Sequence, residues 1–197
     1  FQYPVNAGIG FDSVIDLLQM KLLKFPVGGG KMIVEDIPAS EKDKADEMYN
    51  ALVEAAAEND EALMDKFFEE GSLTEEEIAR GLKLGIINRG TFPVICVASK
   101  TDQGVTRLMD IIKSSFPAPD EMPGVQTIAG KTLACKTTDI PTGYVFKTSI
   151  EQHIGELSIM KIYGGEITEA MDMVNNKTNS KERLTSLLCI AGKNREK

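Results

Sequence analysis

Three stretches of the chain carry residue types that could act on a substrate or hold an ion. They are Ser99 with Lys100 and Asp102, the glycine-containing run 124–132, and the three carboxylates at 75–77. These patterns resemble a nucleophile near a base, a phosphate-binding loop and a metal site, respectively. The residues around each pattern decide whether that chemistry is available.

None of the three patterns has the surroundings that its chemistry requires. No base with a fitting environment accompanies Ser99, which favours an ordinary loop hydroxyl. The run 124–132 has one residue too many between its glycines, and it lies between a proline-rich stretch and an extended segment. A phosphate-binding loop instead needs a strand before it and a helix after it. The carboxylates at 75–77 fit the first turn of a helix, where acidic side chains favour the positive end of the dipole.

The cysteines and the single histidine exclude further classes of site. Cys96, Cys135 and Cys189 are far apart, odd in number and not in CxxC spacing, so neither a disulfide framework nor a zinc site fits them. The only histidine, His153, excludes a multi-histidine metal site and leaves little room for Ser-His or Cys-His catalysis. Reduced thiols indicate a cytoplasmic protein.

The bulk composition is that of a soluble globular protein of one or two domains. The chain has 197 residues, of which 42% are apolar and 26% charged, and no apolar run is long enough to span a membrane. It begins at Phe1 without a signal peptide or an initiator methionine, and we expect it to start partway through a larger protein.

The net charge of −8 is distributed unevenly. Residues 35–77, called here the acidic segment, contain sixteen acidic and three basic residues, a net charge of −13. The remainder carries fourteen acidic and nineteen basic residues, a net charge of +5. A solvated acidic helical face and a docking surface for a basic partner both explain the acidic segment.

Apolar spacing predicts helices through most of the first half. Residues at three and four apart predict a helix over 11–23, and a short strand is predicted at 32–34. Ser40 is the expected N-cap of the next helix, with Asn59 and Asp60 interrupting before a helix over 61–69. Thr74 and Glu77 form an expected capping box for a helix that ends near residue 85. The acidic segment is therefore predicted to be a compact helical unit.

The pattern changes after residue 91. The apolar run 92–97 is typical of a buried parallel strand, and a loop at 98–104 leads into a helix over 105–113, which together make one unit of an α/β sheet. Residues 121–143 are predicted to be a linker with one strand at 132–136. Strands predicted at 144–148, 155–163, 172–175 and 183–190 suggest a small β-barrel that is short of strands where the chain stops. The expected fold is α/β followed by β.

These segments, in this order, resemble elongation factor G, a bacterial translational GTPase. Residues 8–21 resemble its "G-x-x-F-x-G-V-I-D-L-x-x-M-K" segment, and residues 52–64 resemble "L-V-E-x-x-A-E-x-D-E-x-L-M". Residues 74–78 match "T-E-E-E-I", residues 93–110 are similar to "P-V-x-C-x-S-A-x-x-N-x-G-V-x-x-L-L-D", and residues 116–119 are similar to "L-P-S-P". Beyond the linker, residues 146–147, 155–157, 162–165 and 181–183 resemble the "F-K … G-R-L … R-V-Y-S-G … K-E-R" pattern of the family's second domain.

The resemblance implies a domain organisation and a nucleotide. Residues 1–120 would be the C-terminal part of a GTPase domain with a helical α+β insert at about 16–90, and residues 144–197 the start of a truncated β-barrel domain. The intact parent would bind GTP and Mg and drive translocation or ribosome recycling in protein biosynthesis. The chain lacks the P-loop, DxxG and NKxD motifs, so we expect it to be inactive alone and to bind no cofactor. Ala98, Ser99 and Lys100 would be the remnant of the guanine loop.

The resemblance also implies partners. They are the ribosome, its stalk protein and small-subunit rRNA, with no membrane. The residues expected at the stalk protein are Lys44, Glu47, Glu54 and Glu58, and those expected at rRNA are Lys177, Lys181 and Arg183. An exposed strand edge is expected to permit a non-physiological dimer. The alternative to an excised GTPase fragment is a non-catalytic adaptor that binds the stalk protein or rRNA.

Overall fold

The computed structural model describes residues 1–26, 30–151, 155–192 and 194–196. The chain divides into two compact units, Phe1–Ala118 and Pro119–Lys197. Helices and antiparallel sheets are both present, so the coarse prediction of a mixed α and β fold is confirmed. None of the helices in the described ranges is long and apolar enough to cross a membrane.

The first unit combines one sheet with four helices. Its sheet is antiparallel throughout, in the order β1-β2-β3-β4. The elements are β1 (Gln2–Pro4), β2 (Ser13–Asp16), β3 (Lys21–Lys24), β4 (Ile33–Glu35), α1 (Ala39–Ala57), α2 (Glu61–Glu70), α3 (Glu75–Ile87), a short 3-10 helix (Ser99–Thr101) and α4 (Val105–Ser115).

The predicted helix at 11–23 is wrong, because these residues form the hairpin β2–β3. Both faces of this hairpin are covered. Ile15 and Leu22 pack with Ala45 of α1, whereas Val14 and Leu23 lie in a separate cluster on the other face. Adjacent apolar residues are therefore both buried, and this two-sided burial imitates the three-and-four spacing of a helix.

The helices of the acidic segment are confirmed, with one change at their start. α1 begins at Ala39 after Pro38, so Ser40 is not its N-cap. Asp60 caps α2, and the predicted capping box of Thr74 with Glu77 begins α3. The three helices share a core of Val53, Ala56, Ala57, Leu63, Leu73, Ile78 and Leu82.

The predicted strand at 92–97 is wrong: in the described part of the chain no strand pairs with this segment. It lies beside the start of β1, where the Phe1 ammonium group donates to the Val94 carbonyl at 3.2 Å and the Cys96 N–H donates to Gln2 Oε1 at 3.3 Å. Without a neighbouring parallel strand the ladder cannot form. The helix expected after it is confirmed as α4.

The second unit contains only strands in its described part. They pair as four two-stranded antiparallel sheets: β5–β6, β7–β8, β9–β10 and β11–β12. The strands are β5 (Val125–Gln126), β6 (Thr132–Leu133), β7 (Thr142–Glu151), β8 (Gly155–Gly164), β9 (Asp172–Asn175), β10 (Ser180–Arg183), β11 (Cys189–Ala191) and β12 (Asn194–Glu196). None of these sheets closes into a barrel within the described residues. The continuous strand predicted at 183–190 is wrong, since residues 184–188 separate β10 from β11.

Candidate functional site

The loop expected to be a guanine-loop remnant is a tight turn closed by its own backbone. The Ala98 N–H donates to the Gln103 carbonyl at 2.9 Å, and the Gln103 N–H donates back to the Ala98 carbonyl at 3.2 Å. The Thr101 N–H also donates to the Ala98 carbonyl, at 3.1 Å. The turn ends at Gly104, which is the N-cap of α4 and has a φ of +77°. A side chain at Gly104 would also collide with the Cys96 carbonyl oxygen, which lies 2.8 Å from where a Cβ would be.

This turn limits what Ala98, Ser99 and Lys100 can offer a ligand. The N–H and the carbonyl of Ala98 are both used inside the turn. Ser99 and Lys100 are exposed, and within the described residues no histidine or carboxylate hydrogen-bonds the Ser99 hydroxyl. His153 lies outside the described residues.

The glycine-containing run 124–132 does not have the backbone of a phosphate-binding loop. Within the described ranges no cluster of three His, Cys, Asp or Glu side chains is placed to hold a metal. The glycine-containing run 124–132 is the hairpin β5–β6, closed by the Thr127 N–H donating to the Lys131 carbonyl at 2.8 Å. A strand follows Lys131 where a phosphate site needs a helix N-terminus.

The four residues expected at the stalk protein share one side of α1. At 3.6 residues per turn, Lys44, Glu47, Glu54 and Glu58 fall within about 80° of arc. All four side chains belong to exposed residues. The structure therefore brings them together on one surface.

Tyr3 of β1 contacts Lys44 at the N-terminal end of that surface. The Lys44 ammonium lies 4.0 Å from the centroid of the Tyr3 ring, a cation–π contact. The Tyr3 hydroxyl donates to Glu41 Oε2 at 3.2 Å. Burial, followed by this hydrogen bond to Glu41, raises the pKa of Tyr3 to about 12. Lys44 is thus anchored to the sheet, and the carboxylates dominate the face.

The basic side chains of the acidic segment are all held by neighbours. This leaves the exposed charge of the three helices strongly negative. The contacts are Lys42 with Asp46 at 2.6 Å, Lys44 with the Tyr3 ring, and Lys66 with Glu77 at 2.9 Å.

The capping box of α3 keeps one carboxylate charged over a wide pH range. Glu77 accepts a hydrogen bond from the Thr74 N–H at 2.8 Å and bonds from the Lys66 ammonium at 2.9 and 3.0 Å. The Thr74 N–H, and after it the Lys66 ammonium, lower the pKa of Glu77 to about 2. The same contact raises the pKa of Lys66.

The residues expected at rRNA lie on one hairpin of the second unit. Lys181 and Arg183 are two residues apart on β10, so their side chains lie on the same face of the strand, about 7 Å apart. Lys177 is in the turn before β10, where its N–H donates to Asn175 Oδ1 at 3.0 Å. Arg183 Nη1 is 3.9 Å from Asp172 Oδ1, an exposed pair that leaves most of its charge available.

A buried polar centre in the first unit was missed by the sequence analysis. Asp16 is fully buried, and its carboxylate accepts five hydrogen bonds. The Oδ2 atom accepts from Gln2 Nε2 at 2.8 Å and from Arg107 Nε at 2.7 Å. The Oδ1 atom accepts from Arg107 Nη2 at 3.2 Å and from the N–H groups of Leu18 and Gln19, both at 3.1 Å. This centre ties β1, β2 and α4 together.

Two signals in the sequence pointed to this centre. In the sequence, Asp16 directly follows the apolar pair Val14 and Ile15. In the structure, these residues form a strand that is buried along its whole length. Arg107 shares one face of α4 with Ile111 and Ser115, four and eight residues further on, and all three are buried. A charged residue on a buried face requires an opposite charge, but the spacing alone does not say which one.

Comparison with known proteins shows the fold of the chain. No model of a protein family matches the sequence. The crystal structure of ttk003000868 from Thermus thermophilus is similar, with a TM-score of 0.78 and 20% sequence identity. The match covers 98% of this chain and 27% of that chain, so this chain spans about a quarter of the length of the protein it resembles.

Proposed function

We propose that this chain is part of a ribosome-binding translational GTPase of the elongation factor G type. In this proposal the acidic segment docks on the ribosomal stalk protein, and the second unit is the start of a β-barrel that lies near small-subunit rRNA. The parent protein would bind GTP and Mg, and it would act in the cytoplasm in translocation or ribosome recycling. The order of the segments that resemble the family supports this assignment.

One observation carries the docking proposal. The acidic segment forms α1, α2 and the first turn of α3, and each of its three basic side chains contacts a neighbouring side chain. Glu47, Glu54 and Glu58 are exposed on one side of α1. A folded surface of one charge sign steers a partner of the opposite sign and speeds their association. A stalk domain that presents lysines has the matching charge.

The test is binding of purified stalk protein to the full chain by calorimetry. Reversing Glu47, Glu54 and Glu58 to lysine is expected to weaken binding about 10- to 100-fold at low salt, at about 0.5–1 kcal/mol for each charge. The matched control is Asp110→Lys, an exposed acidic residue on α4 outside the acidic segment. Unchanged binding by the triple variant, or an equal loss in the control, would refute the assignment.

The rRNA contact is tested by measuring how the binding of the full chain to small-subunit rRNA depends on salt concentration. If Lys177, Lys181 and Arg183 each neutralise one phosphate, replacing all three by glutamine lowers the slope of log K against log salt by about 2. An unchanged slope would exclude phosphate contacts at this hairpin. The matched control replaces three exposed lysines elsewhere in the second unit, Lys131, Lys136 and Lys147.

The expectation that this chain has no phosphate site is tested with nucleotides. Titration of the chain with GDP and with GTP, in the presence of magnesium, is expected to give no heat of binding. Micromolar binding, about −8 kcal/mol, would mean that a nucleotide site exists and that the assignment of a silent fragment is wrong.

The second candidate is a non-catalytic adaptor that binds the stalk protein or rRNA. The helical core formed by α1, α2 and α3 favours it, because the helices that carry the acidic surface are packed on a core of their own. The length of the reading frame distinguishes the two candidates. A frame that continues on both sides of this sequence identifies a GTPase fragment, and a frame confined to it identifies an adaptor.

A further inference from the structure

One face of the β7–β8 hairpin carries an exposed aromatic ring beside a lysine. Tyr144 of β7 is 61% exposed and lies directly opposite Lys161 of β8 in the antiparallel register. Residues that are directly opposite have Cβ atoms about 4.5–5.5 Å apart and side chains on the same face. The Lys161 ammonium lies 5.2 Å from the centroid of the Tyr163 ring, so Tyr163 belongs to this face as well. These three residues are called here the Tyr144 face.

We propose that the Tyr144 face binds an unpaired nucleotide of single-stranded RNA. The base stacks on the Tyr144 ring, and the adjacent phosphate accepts a hydrogen bond from the Lys161 ammonium. The choice of RNA rests on the proposed function, in which the second unit lies near small-subunit rRNA. The contact itself is on a different hairpin from Lys177, Lys181 and Arg183.

Tyr163 positions the lysine beside the stacking ring. Its contact with the Lys161 ammonium is a cation–π interaction, which fixes the direction of a long side chain without neutralising its charge. Lys161 is exposed, and in the part of the chain that the structure describes no carboxylate forms an ion pair with it. A positioned ammonium group without a counter-charge attracts a phosphate oxygen.

The carboxylates of the hairpin lie away from the Tyr144 face. β7 and β8 contain two, Glu151 and Glu156. Glu156 is an odd number of residues from Lys161 along β8, so its side chain is on the opposite face. Glu151 is at the far end of β7, about 20 Å from Tyr144. A phosphate next to Tyr144 and Lys161 therefore meets no close repulsion from the two strands themselves.

The opposite face of the hairpin is apolar and partly covered. It carries Ile162 and the cross-strand pair of Val145 with Met160. Ile167, which follows β8, packs on this side, since its Cδ1 atom lies 3.4 Å from where a Cβ of Gly143 would be. The chain thus packs against the apolar face, whereas the Tyr144 ring remains in solvent.

An exposed ring next to a lysine matches the two chemical parts of an unpaired nucleotide. Every base has a π face, so an aromatic side chain stacks on it with little dependence on sequence. Inside a duplex both faces of a base are already stacked on neighbouring bases, so a protein ring cannot use them. The Tyr144 face therefore favours a single strand over a duplex, although the duplex has the higher density of charge.

A tryptophan at position 144 reports stacking directly. The chain has no tryptophan, so Tyr144→Trp keeps an aromatic ring and adds a unique fluorophore. The full-length variant is titrated with decauridylate at low salt, and the tryptophan emission is followed. We expect saturable quenching with a Kd between about 1 and 100 μM, because stacking on a base quenches indole emission. A GC-rich RNA duplex of ten base pairs is expected to bind at least about tenfold more weakly.

Two substitutions separate stacking from charge, with fluorescein-labelled decauridylate and anisotropy as the readout. Tyr144→Ala is expected to weaken binding by about 5- to 150-fold, and Phe68→Ala, which removes a 77% exposed ring from α2, is the matched control. Lys161→Gln is expected to lower the slope of log K against log salt by about 0.7, and Lys136→Gln, at an exposed lysine outside the hairpin, is its control. Melting temperatures show that the variants remain folded.

Four results would overturn the inference. They are the absence of quenching, duplex binding as tight as that of decauridylate, unchanged binding by Tyr144→Ala, and an equal loss in Phe68→Ala. A decaglutamate peptide is a further probe: if it binds more tightly than decauridylate, the face takes an acidic protein segment and not RNA.

The inference and the proposed rRNA contact fail separately. An rRNA slope that does not respond to Lys177, Lys181 and Arg183 removes the contact at that hairpin and leaves the decauridylate result standing. Conversely, a normal response at those three residues, together with no quenching at position 144, overturns this inference alone.

Discussion

Asp16→Asn replaces one oxygen of a fully buried carboxylate by an NH2 group. In the wild-type protein, Oδ1 accepts from the N–H groups of Leu18 and Gln19, and Oδ2 accepts from Gln2 Nε2 and Arg107 Nε. Donors face both oxygens, so an asparagine in either orientation places its NH2 group against other donors. The substitution also leaves the Arg107 charge buried without a counter-charge.

The expected loss of stability is large. Removing one partner of a buried ion pair costs about 3–5 kcal/mol, because the remaining charge stays desolvated. A typical protein has only about 5–15 kcal/mol of folding free energy, so the first unit is expected to be close to unfolding. With a urea m-value of about 1.5 kcal/mol per molar, the midpoint falls by about 2–3 M.

Urea unfolding followed by far-ultraviolet circular dichroism measures this loss. The helices in the described part of the chain all lie in the first unit, so the helical signal reports on that unit. A midpoint shift below about 0.5 M would refute the reasoning, since it would correspond to less than about 1 kcal/mol.

A double-mutant cycle distinguishes the ion pair from other effects of the substitution. Arg107→Ala alone is expected to destabilise the first unit by a similar amount, because it leaves the Asp16 carboxylate buried. The double variant is expected to lose less than the sum of the two single losses, by at least about 1 kcal/mol. Additive losses would show that Asp16 and Arg107 act independently.

Four further predictions concern the first unit. Thr74→Ala removes the N-cap of α3 and is expected to cost about 1 kcal/mol in urea unfolding. The folded-state pKa of Glu77 is lowered from 4.5 to about 2, so the free energy of folding that its carboxylate contributes is complete above pH 4.5 and is lost as the pH falls toward 2. Glu77→Gln should therefore flatten the plot of unfolding free energy against pH in that window. Gly81→Ala should lower stability by about 1–3 kcal/mol, although helix propensity alone predicts a gain of about 1 kcal/mol, because its Cβ would collide with the Ala56 carbonyl oxygen. In a spectrophotometric titration, the wild-type protein should show a phenol that ionises near pH 12, and Tyr3→Phe should remove it. A wild-type curve without this ionisation would contradict the assigned burial of Tyr3.

Local chemistry made several elements predictable from the sequence. Thr74 and Glu77 are three residues apart, and a capping box depends only on that spacing and on the backbone between them. Asp60 interrupts the apolar pattern and caps α2 through the N–H groups of Ala62 and Leu63. The grouping of Glu47, Glu54 and Glu58 on one side of α1 also follows from helical geometry alone.

The errors arose where burial comes from distant residues. Val14 and Ile15 were expected on a helix because apolar residues recur three and four apart over 11–23, and the structure buries them on opposite faces of a hairpin. The run 92–97 has the composition of a parallel strand, but a strand also requires a neighbour to exchange hydrogen bonds with. Phe92, Val94 and Val97 are exposed. Composition alone therefore predicts neither whether a segment is buried nor what covers it.

The sequence by itself determined the local helix signals, the acidic surface of α1, and the absence of P-loop, DxxG and NKxD motifs from this chain. Only the tertiary structure decided that Asp16 pairs with Arg107, 91 residues away, and that a cavity opens beside this pair. Capping and helix periodicity act over three or four residues, so they can be read along the chain. The pairing of buried charges depends on which elements pack together, and the spacing of residues along the chain does not contain that information.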